Sequence, residues 1–195
     1  MRAGRDRLVI AAVVLAAGGS TRLGQPKQLV TLSGETLLER AIRAAGEAGC
    51  APIVVVLGAS YVEILAAVQL SDALPVINSE WRTGMASSIR LGVRTLELVA
   101  KDAEGVLLMT CDQPAVTAPH LRLLISGDRV NASRYARRNG APAYFPKKHF
   151  ADLMALAGDA GARALLAEAR SEELVHGELD VDTAEDLARA RELFG

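Results

Sequence analysis

Apolar residues run almost without interruption through residues 8–16, 53–57 and 105–110, and each run ends at glycine, proline or a polar cluster. Runs of this length, free of alternation, are what a strand buried on both faces requires. A shorter run at 75–78 predicts a further strand. The intervening segments 37–48, 61–69 and 84–100 read as helices, and 119–125 as a shorter one. Thr36 with Glu39 three positions later forms a capping box for the first helix, which Gly49 stops. Strands alternating with helices of this length indicate βαβ units: a three-layer α/β/α domain with a mostly parallel, mixed sheet.

The pattern changes over 130–145, where Asn131 to Tyr135 and Ala143-Tyr144-Phe145 flank a predicted turn at Asn139-Gly140. An antiparallel hairpin at the sheet edge fits that stretch better than another βαβ unit. Helices at 147–156 and 160–169 follow, then an extended segment at 175–181 and a helix at 183–193, opened by Thr183 and Asp186. No repeat, low-complexity tract or linker interrupts the 195 residues, so a single domain is expected.

Composition removes several function classes. Lys plus Arg number 22 against 23 Asp plus Glu, a net charge of -1, which gives no global basic field for nucleic acid or an anionic membrane. Half of the residues are hydrophobic, which excludes a disordered chain, and only 4% are aromatic, which argues against stacking platforms and favours base recognition by backbone and hydroxyl groups. Cys50 and Cys111 lie far apart with no CxxC spacing, and His120, His149 and His176 are scattered, so neither a disulfide framework nor a zinc site is indicated and a cytoplasmic setting fits. Arg2, Arg5 and Arg7 before the apolar run 8–17 superficially imitate a signal peptide, but that run is half of what a bilayer span needs and leads directly into a glycine-rich polar loop.

In an open α/β sheet, ligands bind beyond the carboxyl ends of the strands. Three such ends carry suggestive chemistry. After the first strand comes Ala17-Gly18-Gly19-Ser20-Thr21-Arg22, followed by Lys27: glycines that expose backbone N–H groups to an anion, with two fixed cations. The alternative is an ordinary glycine turn with solvated cations. After the strand at 105–110 comes Asp112, either a helix N-cap or a carboxylate suited to Mg²⁺, which takes one or two protein carboxylates and completes its shell with phosphate and water. The third end holds Asp180 and Asp182, which strand alternation would send to one side, while Asp182 or Thr183 is placed to cap the following helix. Gly84, Ser87 and Ser88 set small hydrogen-bonding groups at a helix start, and Arg134, Arg137, Arg138 and Asn139 cluster near Gly140.

Leu15-Ala16-Ala17-Gly18-x-Ser20-x-Arg22-x-Gly24 with Lys27 resembles the signature of the MobA-like nucleotidyltransferases, and in detail the molybdenum cofactor cytidylyltransferase branch. Further matches are the stretches 78–81 and 83–89, Cys111-Asp112-Gln113-Pro114, and the stretches 140–146, 161–166 and 180–187. The resemblance implies a Rossmann-like fold of the nucleotide-diphospho-sugar transferase type, with a nucleotide-binding part at about 8–115 and an acceptor-binding part at about 116–195. It implies catalysis by Arg22, Lys27 and Asp112, metal ligation by Asp112 and Asp182, and Mg²⁺ or Mn²⁺ as cofactor. Nucleotide contacts fall on Leu15, Ala16, Ala17, Gly18, Gly19, Ser20, Arg22, Lys27, Gly58, Asn78, Gly84, Ser87, Ser88 and Asp112, and acceptor contacts on Arg134, Asn139, Gly140, Pro142 and Asp180. The implied reaction moves CMP from CTP to the phosphate of molybdenum-molybdopterin, with a xanthine-dehydrogenase-like enzyme as a partner; the Gly84-x-x-Ser87-Ser88 stretch is what favours CTP over GTP. Guanylyl transfer from GTP, cytidylyl transfer to a sugar or polyol phosphate, and a non-catalytic cofactor chaperone are the alternatives. Ala141 stands where many relatives carry a larger polar residue.

Overall fold

The unbroken apolar runs become the centre of a sheet because only there can a strand shed water on both faces. The computed structural model describes residues 9–125, 127–159 and 161–195; Arg2, Arg5, Arg7, Leu8 and Ala160 lie outside them. In chain order the elements are β1 (Ile10–Ala16), a small hairpin of β2 (Thr31–Leu32) and β3 (Glu35–Thr36), α1 (Leu37–Glu47), β4 (Ile53–Leu57), α2 (Tyr61–Ala67), β5 (Leu74–Ile77), α3 (Met85–Val99) and β6 (Gly105–Thr110). They continue with α4 (Ala118–Leu124), β7 (Asn131–Tyr135), β8 (Arg138–Pro146), α5 (Phe150–Met154), β9 (Arg170–Glu173) and α6 (Ala184–Phe194).

The main sheet runs β5-β4-β1-β6-β8-β7-β9. β8 opposes both of its neighbours and the remaining pairs are parallel. From β1 the chain moves outward through β4 to β5, then returns to lay β6 on the other side of β1. That reversal opens a crevice beyond the carboxyl ends of β1 and β6.

Alternation along β1 supplies both core layers. Ala12, Val14 and Ala16 pack against Leu38 and Ile42 of α1 and Leu121 and Leu124 of α4. Ala11, Val13 and Leu15 pack against Ile89, Val93 and Leu96 of α3 and Phe150 and Leu153 of α5. Each such large aliphatic side chain contributes about 1.5–3 kcal/mol on burial. A third cluster joins Val30, Leu32 and Leu37 to Leu179, Val181, Leu187 and Ala190, so α6 and the segment before it dock on the β2–β3 hairpin.

Both predicted capping boxes form: Thr36 with Glu39, and Thr183 with Asp186. Three expectations do not hold. Of the helix expected at 160–169, the described residues 161–169 contain no α-helix; they hold one 3₁₀ turn at Arg163–Leu166, because Gly158 and Gly161 take positive φ just upstream, and the chain then forms the edge strand β9. β9 reads Arg-Ser-Glu-Glu and escapes a hydrophobicity reading since neither face is fully buried. Residues 175–178 form a turn instead of continuing an extended segment, His176 taking a φ of 61°, and 179–181 join no strand. The hairpin reverses at Ala136 and Arg137, whose φ values are 47° and 63°, and Asn139 and Gly140 lie inside β8 opposite Arg134 and Ser133. Gly140 serves packing there, since the Tyr135 hydroxyl leaves no room for a Cβ.

Candidate active site

The 3₁₀ turn Lys27–Leu29 returns the chain to the glycine loop. The Lys27 amide donates to Ser20 Oγ at 2.9 Å, fixing the turn to the loop. The Lys27 ammonium lies between two carboxylates, 2.5 Å from Asp112 Oδ2 and 2.7 Å from Asp182 Oδ1. Arg22 Nη2 donates to the other oxygen of Asp182 at 2.7 Å.

The two acids reach one place by separate routes. Asp112 follows the carboxyl end of β6. The Thr183 hydroxyl accepts from the Asp186 amide and so caps α6, which leaves the Asp182 carboxylate for Lys27 and Arg22. The two backbones are joined directly, with the Val181 N–H donating to the Asp112 carbonyl at 2.9 Å. Asp112 is not a cap either, since Thr117 takes that position for α4.

Electrostatics follow from this grouping. Burial works to lower the pKa of Lys27, but the attraction of Asp112 and hydrogen bonds to Asp112 and Asp182 outweigh it and hold the ammonium well above its ordinary range. Burial would raise Asp182, yet Lys27 and Arg22 keep it below the usual carboxylate value. Burial, followed by the charges of Asp112 and Asp182, pushes Asp180 up to about 7. Three acids, the deeply seated Lys27 and the exposed Arg22 thus share the site beside the glycine loop.

Two cavities meet here. The first, of about 720 Å³, is bordered by Leu15, Ala16, Ala17, Gly18, Lys27, Gly84, Ser88 and Asp112. The second, of about 350 Å³, is bordered by Asn139, Gly140 and Asp180 and shares Leu15, Lys27, Met85, Thr110, Asp112 and Asp159 with the first; Asp182 lines it as well. Several expected residues stand outside both. Gly19 and Gly58 pack against the Trp81 ring, and Ser20 and Arg22 act through the contacts above. Asn78 is buried and donates to Ser87 Oγ and Ser88 Oγ, both at 2.9 Å. Ser87 in turn bonds the carbonyls of Glu80 and Gly84, so Ser88 is the hydroxyl of the pair that faces the first cavity. Arg134 is exposed and Pro142 buried, and neither lines the acceptor side, where Arg138 and Arg163 stand instead. The hairpin turn lies three residues before its expected place, and Arg138, just after it, is the arginine that lines the acceptor side.

Other lining residues were missed by sequence reasoning. Trp81, the one tryptophan in a chain poor in aromatics, borders the first cavity with the Arg82 guanidinium 4.4 Å above its ring. Its place between a strand end and the Gly84 helix start was the available signal. Asp159, whose carboxylate accepts from the Met85 amide at 3.4 Å, comes from a loop without sequence pattern. Cys50 and Cys111 are free and buried, and burial pushes both thiols up to about 12, which leaves them unreactive.

The donor set suits a cation shared with phosphate. Asp112 Oδ1 is buried with no hydrogen-bond partner, although buried oxygens are seldom left so. Among the described residues no group of three or more His, Cys, Asp or Glu is arranged to cage a metal. Two carboxylates with an open side match Mg²⁺ or Mn²⁺ bound through substrate oxygens, in place of an all-protein site.

A glycine-rich loop with two cations after one strand and paired carboxylates beside it suit a nucleotidyltransferase, and comparison with known proteins shows that class. Residues 12–174 match the MobA-like NTP transferase domain, and the chain belongs to that family. It is 32% identical to Nicotine blue oxidoreductase of Paenarthrobacter nicotinovorans, across 94% of this chain and 97% of that protein. It is 29% identical to Purine catabolism protein PucB of Bacillus subtilis, across 92% and 94%. A probable molybdenum cofactor guanylyltransferase of Opitutus terrae is 30% identical over 56% of this chain and 50% of its own. Rv0371c from Mycobacterium tuberculosis superposes with a TM-score of 0.83 at 34% identity, covering 95% of this chain and 98% of that one, and has also been solved in complex with manganese.

Proposed function

We propose that this nucleotidyltransferase moves CMP from CTP to the phosphate of a molybdopterin-type acceptor carrying molybdenum, in a reaction that depends on Mg²⁺ or Mn²⁺. The observation that carries the reading is the meeting of Asp112, Asp182 and Lys27 where a loop-lined cavity joins a second one of different chemistry. An acceptor phosphate oxygen attacks the α-phosphorus in line, a new P–O bond forms, and the bond to pyrophosphate breaks. Little covalent chemistry falls to the protein, so positioning and charge neutralisation supply most of the acceleration. Asp112 and Asp182 would hold the divalent cation, which would supply positive charge to offset that of the phosphates. Lys27 and the loop amides stabilise the charge that grows on the leaving phosphates, and Arg22 steers the triphosphate from the exposed rim. Residues 8–115 serve the nucleotide, and 116–195 add the acceptor wall and the second carboxylate. A xanthine-dehydrogenase-like recipient of the product follows from the same reading.

The test is incubation with each nucleoside triphosphate, Mg²⁺ or Mn²⁺ and molybdenum-loaded cofactor, scored by pyrophosphate release and mass spectrometry of the product. CTP-dependent formation of the cytosine dinucleotide supports the reading. A guanine product selects the GTP alternative, in keeping with the Opitutus terrae relative. The name Nicotine blue oxidoreductase denotes another reaction for that relative. Dye reduction without pyrophosphate release would transfer that reaction here and overturn nucleotidyl transfer.

A further inference from the structure

Gln28 neighbours Lys27 but faces the opposite way, and no side chain in the catalytic grouping touches it. It is 1% exposed. Its Nε2 donates to the Ala16 carbonyl at 2.7 Å and to the Gly18 carbonyl at 3.1 Å, the end of β1 and the first glycine of the loop. Only the amide NH₂ has two donors for two carbonyls, so these partners fix the orientation of the side chain. Its Oε1 is buried without a partner. An apolar side chain would fill the same space without burying that oxygen, so the two donors are what the amide provides.

Peptide geometry turns these bonds into a functional statement. In a trans peptide the C=O of one residue and the N–H of the next point in opposite directions. Holding the Gly18 carbonyl against Gln28 therefore directs the Gly19 N–H away from Gln28, toward the open side of the loop where Gly18 borders the nucleotide cavity. Gly18 has no neighbour within 4 Å of where a Cβ would sit, and glycines offer little resistance to rotation of the peptide between them. We propose that Gln28 is a positioning residue that aims the loop's amide donors at the triphosphate. This rests on the reading of the loop as the triphosphate cradle.

The experiment compares CTP with cytidine binding by isothermal titration calorimetry, in Mg²⁺, for the wild type and Gln28→Met, which keeps the volume and removes both donors. In Gln28→Met, CTP affinity is expected to fall about 10- to 100-fold, the effect of one misdirected donor to a charged group, while cytidine affinity stays unchanged. In turnover, KM for the triphosphate rises and kcat changes little. Unchanged CTP affinity, or equal losses for CTP and cytidine, would overturn the assignment, the second outcome marking Gln28 as merely structural. A wild type that binds CTP no better than cytidine would instead overturn the cradle reading itself. Should Gln28→Met fail to fold, Gln28→Asn, which retracts the amide by one methylene, gives the same comparison.

Discussion

Replacing Lys27 by methionine keeps the stem and deletes the charge that three acids surround. In the wild type the side chain is 15% exposed and its ammonium lies 2.5 Å and 2.7 Å from Asp112 and Asp182. Two effects follow, and they have opposite signs for two ligands. A unit charge about 4 Å from a phosphate contributes on the order of 4 kcal/mol at an effective dielectric near 20, so losing it lowers turnover by roughly 10²- to 10³-fold, the range seen when one preorganised donor is removed. The carboxylates meanwhile lose their built-in counter-ion, and the Asp112 oxygen that already lacks a partner is joined by others. The variant should therefore bind Mn²⁺ more tightly than the wild type in the absence of nucleotide. Pre-steady-state pyrophosphate release measures the first effect and Mn²⁺ titration by electron paramagnetic resonance the second, with circular dichroism to check folding. A folded variant with near-native turnover would remove Lys27 from the chemistry. Slow turnover with unchanged Mn²⁺ affinity would refute the claim that Lys27 and the cation compete for the same oxygens.

Asp112→Asn should abolish both turnover and its metal dependence while leaving the fold intact; unchanged metal-dependent activity would remove Asp112 from the metal site. Arg22→Ala, whose side chain is 70% exposed, should shift stability by no more than about 0.5 kcal/mol because surface pairs contribute little, yet raise KM for the triphosphate, as urea midpoints and initial rates would show. Gly84 adopts a φ of +112° with the Gly158 carbonyl 2.5 Å from where a Cβ would sit, so Gly84→Ala should lose about 1–3 kcal/mol in thermal unfolding. Burial lowers the pKa of His120, which shares a 2.8 Å hydrogen bond with Ser133, so the imidazole is neutral in the folded chain while the unfolded one protonates near 6.5. The unfolded state then holds more protons, and stability is complete above 6.5 and declines as the pH falls below it. The gain in urea midpoint from pH 5.5 to 7.5 should be smaller in His120→Gln than in the wild type, while Asp180, whose raised pKa works with the opposite sign over that window, contributes equally to both.

The central strands and helices were legible because burial on both faces leaves an unbroken apolar signature, and both capping boxes because their donors lie three residues apart. β9 was not, since an edge strand of charged residues is held by backbone pairing with β7 and carries no such signature. The carboxylate pair was legible as two acids at two strand ends, but the segment bearing Asp180 and Asp182 is shaped by turns docked on the β2–β3 hairpin, a long-range contact that local pattern does not encode. The hairpin turn was read at Asn139-Gly140 because Asn-Gly is the strongest local turn signal, and the packing of Tyr135 on Gly140 overrode it; of the arginines grouped there, Arg138 lines the acceptor side and Arg134 does not. Gln28 and Trp81 carry weight through single contacts, which no periodicity announces.

The hydrogen bond from Val181 to the Asp112 carbonyl joins residues nearly 70 positions apart. During synthesis, a chain halted between Asp112 and Asp180 already contains the glycine loop, Lys27 and the first acid, yet it has nothing to clasp that carbonyl and no second acid to share a cation. Nascent chains are therefore inert until residue 182 has left the ribosome and its segment has folded back. For a nucleotidyltransferase, this timing keeps half-made copies from sequestering nucleotide they cannot convert.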